Sequence, residues 1–164
     1  YPKNSIRQID GVWTEIETRV MGKPMTLDEI EHEVLRRKFK EPRIHMALVC
    51  AAMGCPPLRT EPYTGKKLDA QFKDQTRQFL RDSKKFRIDR DDEEAHLSPI
   101  FKWFGKDFVQ SHGTNRMFRD HDETDRAVLR FISRHVDKRD AAYLKAEEYD
   151  IEYLDYDWSL NKQD

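Results

Sequence analysis

Apolar residues spaced three or four positions apart predict several helices along this chain. Thr26 and Glu29 form the two halves of a capping box, so we expect a helix to begin there and to end near Lys38. The same spacing predicts amphipathic helices within 65–81 and 124–136. The apolar face of the first helix is formed by Leu27, Ile30, Val34 and Leu35.

Shorter patterns predict one more helix and the strands. Ser98-Pro99 combines a preferred N-cap with a proline suited to the first helical position, so a helix is expected from there to about 108. Partial alternation over 16–21 predicts a strand, and Gly22-Lys23-Pro24 predicts a turn after it. The apolar, β-branched run RIHMALVC at 43–50 predicts a buried strand.

The second half of the chain supplies the remaining strands. Residues 86–89 and 96–97 predict a hairpin around an acidic turn at 90–94, and 150–160 predict a last strand and its exit. These elements predict an α+β fold in which a small, mostly antiparallel sheet packs with four to five helices. A chain of 164 residues is long enough for one core, so we expect residues 1–164 to form a single compact domain.

Charge and composition limit the partners of the protein. The chain has 30 basic and 31 acidic residues and a net charge of −1, a balance that argues against a nucleic acid partner. No apolar run is long enough to cross a membrane. No cofactor is predicted. The expected partners are a small-molecule or peptide substrate and a second protein.

The candidate chemistry centres on Cys50 and Cys55, with His45 just upstream. A thiolate needs a nearby base, and His45 is one candidate. On a regular strand, however, residues five positions apart point to opposite faces, so a His45–Cys50 pair requires the strand to end or bulge first. Three interpretations stay open: a reactive thiol, a Cys50–Cys55 disulfide and a buried core position.

Other polar residues are candidates for the same site. His32 follows Glu31 on the first predicted helix and is the second candidate base. A zinc site of His32, His45 and the two cysteines is not predicted, since no close histidine pair supports it. Arg36 and Arg43 are candidates for anion or substrate binding, although the basic cluster around Arg36 is most simply a solvated helix end. The aromatic segment 153–158 is an alternative rim of a ligand cleft.

Several motifs in a fixed order resemble the domain-of-unknown-function family 547. They are LDEIEH (27–32), PRIHMALVCA (42–51), CPPL (55–58), SPIFKWF (98–104) and YDWSLN (156–161). The resemblance implies an uncharacterised domain that is found in bacterial exported or envelope proteins and in plant proteins. The resemblance implies no particular activity. It also implies an upstream segment rich in Trp, Asn and Tyr, so we expect the chain to lack an N-terminal part of the family domain.

Two functions are expected from these observations. The first is a thiol-dependent hydrolase or acyl transferase with Cys50 or Cys55 as nucleophile, His32 or His45 as base and Glu31 beside them. The alternative is a non-catalytic structural or interaction module with a Cys50–Cys55 disulfide. The expected location is periplasmic or extracellular, with the cytoplasm as the alternative.

Overall fold

The fold combines five α-helices with two small sheets in a computed structural model that describes residues 4–146 and 148–162. The α-helices are α1 (Leu68–Arg81), α2 (Pro99–Trp103), α3 (Gly105–His112), α4 (Glu123–Ile132) and α5 (Lys138–Ala146). A π-helix spans Glu29–Phe39, and 3-10 helices span Ile6–Gln8 and Pro42–Met46. The strands are β1 (Glu17–Val20), β2 (Lys23–Thr26), β3 (Phe86–Asp89), β4 (Glu94–Leu97) and β5 (Asp150–Tyr153).

The strands form one hairpin and one three-stranded sheet. β1 and β2 pair antiparallel around Met21-Gly22, where both residues have positive φ, as a tight two-residue hairpin turn requires. β3 and β4 form the predicted antiparallel hairpin, and β5 joins β4 in parallel. The predicted α+β class with mostly antiparallel pairing is therefore confirmed. The predicted turn at Gly22-Lys23-Pro24 was placed too late, because Lys23 and Pro24 belong to β2.

The core is dominated by phenylalanine side chains from the second half of the chain. Phe108 on α3 packs against Phe131 on α4, with ring centroids 4.9 Å apart, and Phe101 on α2 lies 5.4 Å from Phe108. Met46 and Phe79 join the same buried cluster. Because Met46 of the 3-10 helix at 42–46 belongs to this cluster together with residues of α1, α2 and α3, the segment that carries His45 is fixed on the core.

The predicted buried strand over 43–50 is wrong. Residues Pro42–Met46 form a 3-10 helix, and 47–50 are irregular. The Glu41 carboxylate accepts a hydrogen bond from the backbone N–H of Arg43, and Pro42 stands at the first helical position. Both features favour a helical turn over an extended strand, although Ile44 and Met46 are buried as expected.

One predicted helix needs correction, the last strand can be given its bounds, and one helix was not predicted. The helix predicted from Ser98 to about 108 is broken at Phe104 into α2 and α3. The last strand predicted within 150–160 is present as β5, and its exit is irregular up to the bridge at Leu160. α5 was not predicted, because its nine residues bury little more than Leu144 and so carry a weak apolar pattern.

Candidate functional site

A cavity of about 290 Å³ opens between the start of the π-helix, the loop around the cysteines, α2 and the C-terminal segment. The chain has three tryptophans, and all three line this cavity: Trp13, Trp103 and Trp158. Trp158 lies 4.6 Å from the ring of Tyr156 and 6.1 Å from that of Trp103. The cavity therefore has a continuous aromatic wall.

Backbone pairing between two distant segments builds this wall. The N–H of Met53 donates to the carbonyl of Ser159 at 2.9 Å, and the N–H of Gly54 donates to the carbonyl of Asp157 at 2.9 Å. Ala52 and Leu160 form an antiparallel bridge that also joins the two segments. The pairing carries Tyr156 and Trp158 onto the cysteine loop, which is why residues about one hundred positions apart share one cavity.

Cys50 and Cys55 form a disulfide that lines the cavity. The backbone N–H of Cys50 donates to the Cys55 sulfur at 2.9 Å. The Tyr156 hydroxyl lies 3.2 Å from the Cys55 sulfur and 3.3 Å from the Cys50 sulfur. Burial raises the pKa of Tyr156 to about 12, so its hydroxyl keeps its proton at neutral pH. The disulfide leaves neither cysteine as a free thiol.

Gly54 lets the Tyr156 ring approach the disulfide. A Cβ atom at position 54 would lie 2.8 Å from two carbons of the Tyr156 ring, closer than carbon atoms pack. The absence of a side chain at Gly54 is thus a condition for this aromatic wall.

His45 also lines the cavity and is held by Asp107 and Phe104. Its Nε2 lies 2.8 Å from the Asp107 carboxylate, which also accepts hydrogen bonds from Arg36 at 2.6 and 3.1 Å. The imidazole stacks on Phe104 with ring centroids 3.9 Å apart. His45 is therefore fixed in position by one carboxylate and one ring.

The protonation state of His45 follows from its surroundings. Burial lowers the pKa of His45 to about 4, although the hydrogen bond to Asp107 opposes this shift. Burial acts to raise the pKa of Asp107, but the hydrogen bonds from Arg36 and His45 outweigh it and leave that pKa lowered. At neutral pH the imidazole is therefore uncharged and donates from Nε2 to an ionised carboxylate, which leaves Nδ1 unprotonated.

Glu31 is a half-buried carboxyl group at the same cavity. Within residues 4–146 and 148–162, it receives no hydrogen bond or ion pair from another side chain. Burial raises the pKa of Glu31, while the charges of His32 and Arg36 act in the opposite direction. Its carboxyl group is thus available to a ligand.

The first half of the chain matches one protein family. The family model described as "Protein of unknown function, DUF547" matches residues 2–80. This segment, just under half of the chain, is therefore similar to the DUF547 family. No curated protein and no solved structure matches the chain. The matched DUF547 segment includes Glu31, His45 and both cysteines of the cavity, whereas α2, α3 and the C-terminal aromatic residues lie outside it.

The structure brings most of the predicted site residues of this DUF547 segment together. Glu31, His45, Cys50 and Cys55 all line the cavity. His32 does not line the cavity itself. Its Nε2 lies 3.2 Å from the carboxylate of Asp28, which does line the cavity. Whether any of these residues is catalytic stays a prediction.

The two arginines are engaged by carboxylates of the chain itself. Arg36 pairs with Asp107 and also contacts Nδ1 of His32 at 2.6 Å. Arg43 lies away from the cavity wall and pairs with Glu41 at 2.7 Å and with Asp69 at 2.9 Å. Their guanidinium groups are already neutralised, so binding of an anion by Arg36 or Arg43 would require these ion pairs to open.

Sequence reasoning missed several residues of this site. Asp107 was not predicted, because it lies 62 positions from His45 and only the packing of α3 brings it there. Trp13 and Trp103 were not predicted either, since lone tryptophans give no periodic signal. The C-terminal aromatic segment did give a periodic signal, because acidic residues alternate with Tyr and Trp there.

Metal binding and membrane insertion would each need a recognisable structural element. Among residues 4–146 and 148–162, no three His, Cys, Asp or Glu side chains are grouped so as to hold a metal ion. In the same part of the chain, every helix is too short or too polar to serve as a membrane span.

Proposed function

We propose that this chain is a non-catalytic binding module that holds a small molecule in the tryptophan-lined cavity. The observation that carries the proposal is the convergence of all three tryptophans on one cavity. Aromatic walls with a few polar groups are typical of small-molecule sites. A chain that needed tryptophan only for its core would bury these side chains, yet Trp103 is 49% exposed.

Apolar exposure around the opening supports the same function. Leu27 and Val49 line the cavity and are each 42% exposed. Together with Trp103 they give a contiguous apolar rim, and such patches mark binding sites more often than free surface. A ligand with an apolar part would remove this rim from water and gain the corresponding hydrophobic free energy.

The disulfide has a bracing role in this proposal. It closes the short loop that carries Ala52 and Gly54 to the C-terminal segment, and Tyr156 rests on its sulfurs. Disulfides persist in oxidising compartments, which supports a periplasmic or extracellular location for the protein.

A fragment-binding experiment tests this function. Ligand-observed NMR with a panel of neutral, cationic and anionic fragments should detect binders, and Trp103→Ala should abolish their binding. Phe39→Ala is the matched control, because Phe39 is an exposed aromatic residue that does not line the cavity. The proposal is wrong if no fragment binds, or if the two variants bind alike.

A thiol-dependent hydrolase or acyl transferase is the second candidate function. The observation that favours it is the uncharged His45, oriented by Asp107, on the same cavity as both sulfurs. A dithiol reductant would convert the disulfide to two thiols and become a disulfide itself. One thiol would then pass its proton to His45 Nδ1 and attack an acyl carbon, His45 would protonate the leaving group, and water would release the acid.

Reduction followed by alkylation tests this second function. After reduction, one cysteine should react with iodoacetamide at pH 7 faster than free cysteine, and His45→Gln should remove that advantage. Esterase activity should appear only in the reduced protein. If neither thiol is activated and no ester is cleaved, the enzyme hypothesis fails and the binding function is unaffected.

A further inference from the structure

We infer that the ligand of this cavity is a small molecule that carries an ammonium group on an apolar stem. This inference rests on the proposed binding function and names the chemical class of the ligand. Three features support it: the sign of the charges around the cavity, an unpaired carboxyl group and the exposed aromatic faces.

The ionised groups at the cavity are all acidic. Among the described residues, Asp28 and Glu31 supply carboxyl groups to the lining, His45 is uncharged, and neither lysine nor arginine lines the cavity. Two guanidinium groups lie outside this lining: Asp107 neutralises that of Arg36 through two hydrogen bonds, and that of Arg7 lies over the Trp158 ring. The charged groups of the described lining itself are carboxyl groups, which favours a cation and disfavours an anion.

Glu31 is the group that lacks a partner. The charged and titratable groups that act on it are Asp28, His32, Arg36 and Asp107. Asp28 pairs with His32, and Arg36 pairs with Asp107, so each of these groups is engaged elsewhere. A half-buried carboxyl group without a partner is unfavourable, and an ammonium group would supply the missing opposite charge.

The aromatic wall suits a cation for a second reason. The faces of Trp and Tyr rings carry negative electrostatic potential and attract ammonium groups. Two rings of this wall already contact cations of the chain: the Arg7 guanidinium carbon lies 5.1 Å from the Trp158 ring centre, and that of Arg36 lies 5.0 Å from the Phe104 ring centre. Trp103 and Tyr156, with centroids 4.9 Å apart, offer further faces at the cavity.

Three probes of nearly identical shape test the charge preference. Choline, 3,3-dimethyl-1-butanol and 3,3-dimethylbutyrate carry a positive, a neutral and a negative group. Because all three tryptophans line the cavity, intrinsic tryptophan fluorescence reports its occupancy directly. We expect choline to bind about tenfold more tightly than the alcohol, a ratio in the range of a partly desolvated cation–π site with an ion pair. The carboxylate should bind weakest.

A pair of variants assigns the preference to Glu31. Glu31→Gln should remove most of the advantage of choline over the alcohol and leave the affinity of the alcohol nearly unchanged. Glu33→Gln is the matched control, since Glu33 lies two positions away, is exposed and pairs with Arg37. It should leave both affinities as they are. Added salt should weaken choline binding alone.

The outcomes separate this inference from the proposed function. If the alcohol or the carboxylate binds as tightly as choline, the inference is overturned and the binding module stands. The same holds if Glu31→Gln and Glu33→Gln behave alike. If none of the three probes changes the fluorescence while other fragments bind in NMR, the ammonium class is wrong. If no fragment of any class binds, both proposals fall together.

Discussion

At the scale of single residues, Asp107 is the side chain that holds His45 and Arg36 in position. It accepts from His45 and from two nitrogens of Arg36, and so neutralises the Arg36 guanidinium. The 3-10 helix at 42–46, the π-helix and α3 meet at this carboxylate. Its loss would leave a partly buried arginine without its counter-charge.

Asp107→Asn should therefore destabilise the protein. Removal of the charge weakens the hydrogen bonds from Arg36 and His45, and we expect a loss of about 2 kcal/mol in the free energy of unfolding, typical of hydrogen bonds to a charged group. Urea denaturation followed by tryptophan fluorescence measures this loss. Asp91→Asn, at an exposed turn position, is the control. Equal midpoints for the two variants would show that Asp107 is not structurally important.

The disulfide gives a second prediction at this scale. Replacement of both Cys50 and Cys55 by serine should lower the free energy of unfolding by about 2 kcal/mol, the chain-entropy value for so short a loop. Thermal unfolding of the double variant against the oxidised protein checks it. An unchanged melting temperature would argue against the bracing role. Reduction of the wild-type protein should reproduce the effect of the double variant.

The residue types with strong chemistry could be found from the sequence, whereas the residues that enclose them could not. Cysteine, histidine and glutamate stand out at 31–55 because their side chains can act as nucleophile, base or acid. Asp107 and Trp103 are ordinary in their local sequence, and their importance comes only from the direction in which α2 and α3 leave the break at Phe104. That direction is set by tertiary packing.

At the scale of elements, the pairing of 51–54 with 157–161 decides whether the cavity exists. Gly54→Ala should push the Tyr156 ring away from the disulfide, because the added Cβ would overlap it. We expect a loss of about 1–3 kcal/mol in stability, as for other overpacked sites, and a weaker affinity for any cavity ligand. Denaturation and fluorescence titration measure the two effects.

Gly65→Ala is the matched control for this change. A Cβ at Gly65 meets no atom within 4 Å, and Gly65 lies outside the cavity. Equal stability and affinity in the two glycine variants would mean that Tyr156 does not need its present position.

The capping box at the start of the π-helix positions the acidic side of the cavity. Glu29 accepts from the N–H of Thr26 at 2.8 Å, and the Thr26 hydroxyl accepts from the N–H of Glu29 at 3.2 Å. Thr26→Ala should reduce stability by about 1 kcal/mol, as for other lost N-caps, and should weaken ligand binding through Glu31. Thr26→Ser keeps the hydroxyl and should retain both. The prediction fails if alanine and serine variants are equivalent.

This capping box shows which elements can be predicted. Its two residues specify a helix start through local hydrogen bonds, so the sequence located that start correctly. The π-winding that follows and the 3-10 helix at 42–46 were not predicted, because an apolar run is compatible with a strand or a buried turn. Only contacts with residues far away in the chain decide between a strand and a buried turn.

At the scale of the whole molecule, buried uncharged histidines link the fold to pH. Burial lowers the pKa of His45 and of His112 to about 4, and it also lowers the pKa of His135. The unfolded chain protonates these residues near pH 6.5. Between pH 6.5 and 4 the unfolded state therefore binds more protons than the folded state, and stability must fall as the pH falls.

We expect the melting temperature to be constant above about pH 7 and to decrease clearly between pH 6.5 and 5, before most carboxylates titrate. Differential scanning calorimetry over this range measures the decrease. His112→Asn removes one of the contributing groups and should make the dependence less steep. A melting temperature that is flat from pH 7 to 5 would contradict the buried, uncharged state of these histidines.

The central claim is that all three tryptophans belong to one ligand site, and NMR of the indole N–H groups tests it most directly. The chain gives three indole signals, from Trp13, Trp103 and Trp158. On titration with any fragment that the ligand-observed NMR screen identifies as a binder, all three should shift along one binding curve with a common Kd. Signals that stay fixed, or that shift with different midpoints, would contradict the existence of a single tryptophan-lined site.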